Sequence, residues 1–143
     1  MIEYRKVAKI VLLNKKKELL LQLRDNNPDL IYPGEWVLFG GGINPKENPF
    51  KGLERELVEE LPDCIIKNIK ALGEENLFIQ EYNLKCHLYF FKGRIEEGID
   101  YINKKLTEGE KAEYFSFENL SKIRLNNHTK IFLYKNKDEI LLD

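Results

Sequence analysis

The sequence predicts an α+β fold, a mainly mixed β-sheet with at least two helices packed on it. Three observations lead there. Runs rich in β-branched and aliphatic residues recur early and late, at 6–14, 18–24 and 84–95. Between them, residues 48–61 change to a three- and four-residue apolar spacing. Loops dense in proline, glycine and asparagine separate the two kinds of segment. At 143 residues the chain is expected to form one domain, 1–143, since about 150 residues per domain is the usual prior.

Taken in order, "KVAKIVLLN" (6–14) and "ELLLQLR" (18–24) read as a hairpin with the lysine run 15–17 as its exposed turn. "DNNPDLIYPGEW" (25–36) holds two prolines and a glycine, so it is a loop. "VLFGGG" (37–42) looks like a short strand ending in a glycine turn. In the helix that follows, Phe50, Leu53, Leu57 and Leu61 fall on one stripe. After Pro62 the chain returns to strands at "IIKNIKALGE", "NLFIQEYN" and "LKCHLYFFKGRI". "KAEYFSF" is a further strand, "FENLSKI" begins a short helical turn, and "NNHTKIFLYKNKDEILL" suits a C-terminal helix.

Composition narrows the function classes. A hydrophobic fraction of 43% with 33% charged residues fits a globular protein with a real core. The formal net charge of −1 supplies no global attraction to nucleic acid or to an anionic membrane, so neither is expected as a partner. The two cysteines, Cys64 and Cys86, show no paired motif and read as buried thiols. The N-terminus carries charges throughout and is neither a signal peptide nor a membrane span. A cytoplasmic location is the expectation.

The chemistry concentrates at 40–62. On a helix Glu56, Glu59 and Glu60 stand at i, i+3 and i+4, so they share one arc, flanked by the leucine stripe. Gly52 falls within that arc and is expected to leave room for an approaching group. Carboxylates clustered in this way need full solvation, raised pKa values or a cation. Mg²⁺ suits the third option, because it takes hard oxygen ligands and substrate phosphates. The plainer alternative is a solvated acidic face in a chain with 18 glutamates.

The wider spacing is more specific. Gly41, five residues, Glu47, seven residues and then "RELVEE" (55–60) resembles the Nudix box, G-x5-E-x7-R-E-U-x-E-E-x-G-U with U aliphatic. The chain is identified on this resemblance as a member of the Nudix hydrolase family, MutT-like. "GEWVLFGGG" resembles the family's lead-in, and "EGEKAEYFSFENLSKI" resembles its usual acidic loop, aromatic strand and short helix. The resemblance implies the Nudix fold, a mixed β-sheet core sandwiched between helices with the loop-helix-loop of the box. Phe39 departs from a frequent proline and Gly52 from a frequent alanine. Pro62 and Asp63 replace the closing glycine and aliphatic residue, so the exit path from the helix is expected to differ.

What the resemblance implies for function is metal-dependent hydrolysis of a nucleoside diphosphate linked to another moiety, X, assisted by Mg²⁺ or Mn²⁺. By position, Glu56, Glu59, Glu60 and the Gly40 carbonyl would be metal ligands, with Glu56 an alternative general base. Glu47 and Arg55 resemble the supporting ion pair. Glu110 is the preferred further acid from "LTEGEKAEYF", ahead of Glu108 and Glu113. Asn127 is the candidate for reading a base, with Asn126 beside it; an N-cap is the plainer role. Gly41 and Phe39 complete the substrate-binding candidates, the latter because an aromatic commonly stacks on the base. Lys15–Lys17 read as a solvated turn, and neither His87 nor His128 has a partner at ligand spacing that would make a metal site.

Among substrates, a (deoxy)nucleoside triphosphate split into monophosphate and pyrophosphate is preferred, because such a small chain begins almost at its first core strand. ADP-ribose or a nucleotide sugar is the alternative. A non-catalytic nucleotide sensor on the same fold is the reading from another class. The partner in each case is a small nucleotide, and the chain is a monomer or a homodimer.

Overall fold

A computed structural model describes residues 1–106, 109 and 111–142. The strands are β1 (Glu3–Leu13), β2 (Leu19–Leu23), β3 (Trp36–Val37), β4 (Phe39–Gly42), β5 (Ile66–Ile79), β6 (Leu84–Ile95) and β7 (Lys111–Phe115). The helices are α1 (Pro49–Glu60), α2 (Ile99–Lys105), α3 (Asn127–Lys135) and α4 (Lys137–Leu141), with 3₁₀ turns at Gln80–Tyr82 and Phe117–Lys122. Among the described residues no helix is long and apolar enough to cross a membrane.

The first hairpin closes where the sequence placed its turn. Asn14 Oδ1 accepts from the backbone N–H groups of Lys16 and Glu18, both at 3.0 Å. Lys17 takes a left-handed φ of 63°. The sheet runs β3-β2-β1-β6-β5, with β4 also beside β1 and β7 beside β2. β1 and β6 are parallel over their whole length, from Glu3↔Leu84 to Leu13↔Arg94, while the remaining pairs are antiparallel. The sheet is therefore mixed.

Both faces of its centre are buried, so β1 reads as an almost continuous apolar run rather than an alternating one. Ala8, Ile10 and Leu12 face one cluster with Leu53 and Leu57 of α1 and Ile102 of α2. Val11 and Leu13 face the other, with Phe132 and Leu133 of α3 and Ile140 of α4. Helices thus cover both sides. Burying each such leucine or isoleucine contributes about 1.5–3 kcal/mol, which is what holds short helices of modest propensity against the sheet.

α1 begins at Asn48, whose Oδ1 accepts from Lys51 N at 2.8 Å, with Pro49 at the first helical position. It ends at Leu61, and the left-handed residue after it is Asp63, φ 64°, rather than a glycine. Lys105 Nζ pairs with Asp63 Oδ2 at 3.1 Å, tying α2 to that altered exit.

Six details depart from the expectations. Residues 66–79 form one long strand with irregularities near 68 and 72, not two strands. The triple glycine lies within β4 instead of forming a turn. α2 was not anticipated. The C-terminal helix breaks at Asn136. Phe50 is 39% exposed, so the buried stripe of α1 is Leu53, Leu57 and Leu61. Gly52, expected to leave room for a ligand, is buried instead. A Cβ there would lie 3.2 Å from Ile43 and 3.4 Å from Glu47 Oε1, so the space is filled by the 43–48 loop.

Candidate active site

β4 is the base on which the acidic residues are arranged. It pairs antiparallel with β1, Gly40 opposite Lys9 and Gly41 opposite Ala8. Gly40 has φ +133°, and a Cβ there would run into the Ala8 carbonyl oxygen, so only glycine fits. At Gly41 a Cβ would stand 2.5–2.8 Å from the carboxylate of Glu56. The missing side chain is what lets that carboxylate rest against the strand.

Arg55 joins three segments. Its Nε donates to Glu47 Oε2 at 2.8 Å and its Nη2 to Glu47 Oε1 at 3.0 Å, a two-pronged pair. Nη2 also donates to the Gly42 carbonyl at 2.8 Å, and Nη1 to Glu56 Oε1 at 3.1 Å. Glu59 is a more distant partner at 3.6 Å. The loop, the end of β4 and the acidic face of α1 are thereby fixed to one guanidinium. That guanidinium, aided by the Asn44 N–H, holds the Glu47 carboxyl below the usual carboxylate range.

Glu60 lies deeper, at 5% exposure. Its Oε1 accepts from Gly40 N at 2.9 Å and its Oε2 from Gln22 Nε2 at 3.1 Å. Burial raises its pKa, with the Glu56 charge adding to the effect; the Lys9 ammonium and the two hydrogen bonds oppose the shift. Lys9 answers in kind: burial lowers its pKa, while Glu60 and Glu56 pull it back up and Arg24 pushes it further down. The two desolvated groups thus offset each other's burial within the site.

Glu56, Glu59, Glu60 and Gly40–Gly42 line one side of a cleft of about 660 Å³. That volume is in the range of small-molecule sites. Lys9, Gln22 and Arg24 line the same cleft, as do Leu30, Ile31, Tyr32, Asn126, His128 and Thr129. Tyr32 adopts a left-handed φ of 55°. Its N–H donates to the Tyr82 hydroxyl at 3.1 Å, and its own hydroxyl lies 3.3 Å from His128 Nδ1. Burial pushes the Tyr32 hydroxyl up and the His128 imidazole down, so both are neutral at ordinary pH.

The sequence candidates fall into three groups. Gly40, Gly41, Glu56, Glu59 and Glu60 share the cleft, and Glu47 and Arg55 stand behind Glu56. Phe39 and Asn127 do not join them. Phe39 is fully enclosed in the core under α1, leaving its ring no face on which a base could stack. Asn127 is exposed and outside the cleft lining. Its neighbour Asn126 lines the cleft and also caps α3, accepting from Thr129 N at 2.9 Å. Glu110 and Glu108 lie outside the described residues, and Glu113 is exposed on β7.

Lys9, Gln22, Arg24, Tyr32 and His128 were missed. Lys9 and Gln22 are polar residues within apolar strands, which was a usable signal; their approach to Glu60 spans 51 and 38 residues of sequence and was not.

Among the described residues no three acidic, histidine or cysteine side chains already converge into a metal cage. The donor chemistry on the cleft wall still fits a hard cation. Three carboxylates and a backbone carbonyl from Gly40 are all oxygen, and Mg²⁺ binds through one or two carboxylates while keeping water and phosphate ligands.

Comparison with known proteins agrees with the geometry. A family model described as NUDIX domain matches residues 3–135. Nucleoside triphosphatase NudI of Salmonella arizonae is 42% identical over 48 residues, 34% of this chain and 33% of its own length; the chain thus matches about a third of that curated relative. The crystal structure of a MutT protein from Methanosarcina mazei Go1 superposes with a TM-score of 0.79 at 23% identity, covering 99% of this chain and 98% of that one. The NUDIX domain of Shewanella oneidensis NrtR, solved in complex with ADP ribose, gives 0.72 at 16%, covering 99% and 91%. At these identities the two structures speak for the fold.

Proposed function

The chain belongs to the NUDIX domain family, and from that premise we propose that it is a divalent-metal-dependent hydrolase of a nucleoside diphosphate linked to X, with nucleoside triphosphates as its substrate class. The observation that carries the reading is that Glu56, Glu59 and Glu60 all line one nucleotide-sized cleft, with Glu56 braced by Arg55 and Glu47. The match to a nucleoside triphosphatase supports the substrate class.

Glu56, Glu59, Glu60 and the Gly40 carbonyl are the residues that would hold Mg²⁺ or Mn²⁺. Such a cation would supply charge neutralisation of the diphosphate and a lowered pKa for an attacking water. Arg55 holds the Glu56 carboxylate in place, so that it enters the site already oriented, whether as ligand or as base. Glu60 is held from two sides by Gly40 N and Gln22. The reaction breaks one bridging P–O bond: water adds to phosphorus, its proton passes to a base, and the bridging oxygen leaves with the departing phosphate group. A carboxylate from 108–113 remains the other candidate for that base. The part of the cleft lined by Asn126, Tyr32 and His128 is assigned to the nucleoside.

Purified protein with Mg²⁺, tested against nucleoside triphosphates, ADP-ribose and nucleotide sugars with product identification, checks the assignment. Monophosphate and pyrophosphate from a triphosphate is the expected result. Cleavage of ADP-ribose or a sugar conjugate alone would replace the substrate class and keep the reaction. Binding without turnover on any of them would point to a sensor.

A further inference from the structure

Lys9 sits in β1 between Ala8 and Ile10, both fully buried on the α1 side. Its own side chain turns to the opposite side and lines the cleft. An ammonium has three donors, yet among the described residues its hydrogen bonding amounts to one long contact, 3.4 Å to the Leu38 carbonyl. Arg24, just after β2, lines the same cleft, and its buried Nε has no partner among the described residues. Placing two like charges in one desolvated cleft is costly unless something negative comes to meet them. Glu60 and Glu56 are close enough to act on Lys9 electrostatically, but they leave its donors unspent.

We propose that Lys9, with Arg24 in the same cleft, is a substrate-contacting residue whose ammonium donates to a non-bridging oxygen of the diphosphate. This rests on the reading of the cleft as a diphosphate site. It adds a fixed cation to that site, so that the diphosphate is held from the protein side as well as through the carboxylates and their metal. The long, single hydrogen bond to Leu38 is the resting contact that this replaces. The bland alternative is that Lys9 only offsets the charge of Glu60.

Calorimetric binding of imidodiphosphate, whose P–N–P bridge is not the hydrolysed P–O–P, distinguishes them at saturating Mn²⁺. The parent chain is compared with Lys9→Met and Lys9→Arg, and Mn²⁺ binding without the anion is followed by electron paramagnetic resonance. Loss of a charge-assisted hydrogen bond should weaken anion binding in the methionine variant about tenfold or more. Arginine should restore most of it, while Mn²⁺ alone binds the methionine variant as tightly as the parent or tighter. Unchanged anion affinity in Lys9→Met overturns the proposal, as does a parent chain that does not bind imidodiphosphate. A parallel loss of Mn²⁺ binding also overturns it, since Lys9 would then only prop the carboxylates. Lys9→Gln carries the same expectation if the methionine variant does not fold. Because the readout is binding, Lys9-dependent uptake by a chain that hydrolyses nothing would sink the proposed reaction and leave this inference standing. Turnover with no dependence on Lys9 would do the reverse.

Discussion

At the scale of single residues, adjacent glycines do different things, and this separates fold from chemistry. Gly40 is required by the backbone: its φ is +133° and a Cβ would meet the Ala8 carbonyl. Gly41 is required only by the Glu56 carboxylate, a flexible side-chain end that can move away. Gly41→Ala should therefore fold with stability within about 1 kcal/mol of the parent and lose at least about tenfold in kcat/KM, because Glu56 is displaced from its place beside Arg55. Gly40→Ala should fail to fold or unfold far more readily. Urea denaturation alongside steady-state kinetics checks both; a Gly41→Ala enzyme of full activity would mean that the position of Glu56 against β4 does not matter. The signal for the first glycine was in the sequence only as a repeat of three, which does not say which one the backbone needs.

At the scale of elements, what was legible was whatever carried a local period. The first hairpin, α1, β6 and β7 all follow from spacing and turn chemistry within a few residues. α2 escaped because seven residues make barely two turns, with no side-chain cap and one fully buried residue, Ile102. It is held by tertiary contact instead: Asn103 bridges to β7, accepting from Ala112 N at 2.8 Å, and Lys105 reaches Asp63. Ile102→Ala should consequently cost about 2–5 kcal/mol of folding stability, the range for a buried large-to-small change. A loss below about 0.5 kcal/mol in the same urea titration would show that α2 adds little to the core. β5 misled in the opposite way. The sequence reading broke the strand at Glu75, between two apolar stretches, whereas pairing with β6 carries it through, with Glu75 opposite Leu88.

At the scale of the whole molecule, the spacing of the box gave the acidic wall, but not the cleft opposite it. The wall comes from one helix and one adjoining strand, so its parts are neighbours in sequence. The cleft also needs Lys9 from β1, Gln22 from β2, Arg24 just after it, Tyr32 from the loop before β3 and His128 from α3, which only the folded sheet brings together. Family membership carries the same division: the box is a local pattern, while the rest of the cleft is assembled from distant segments. The central claim is that the carboxylates on this wall perform hydrolysis and are not a solvated helix face. Mg²⁺-dependent hydrolysis of nucleoside triphosphates, compared between the parent chain and Glu59→Gln, tests it most directly. Glu59 is the most exposed of the three, with its side chain at 59%, so this change should leave the fold intact. Monophosphate and pyrophosphate should form with the parent, and the rate should fall by at least about a hundredfold in Glu59→Gln, comparable to loss of a group that stabilises transition-state charge. Full turnover by a folded Glu59→Gln chain would contradict it.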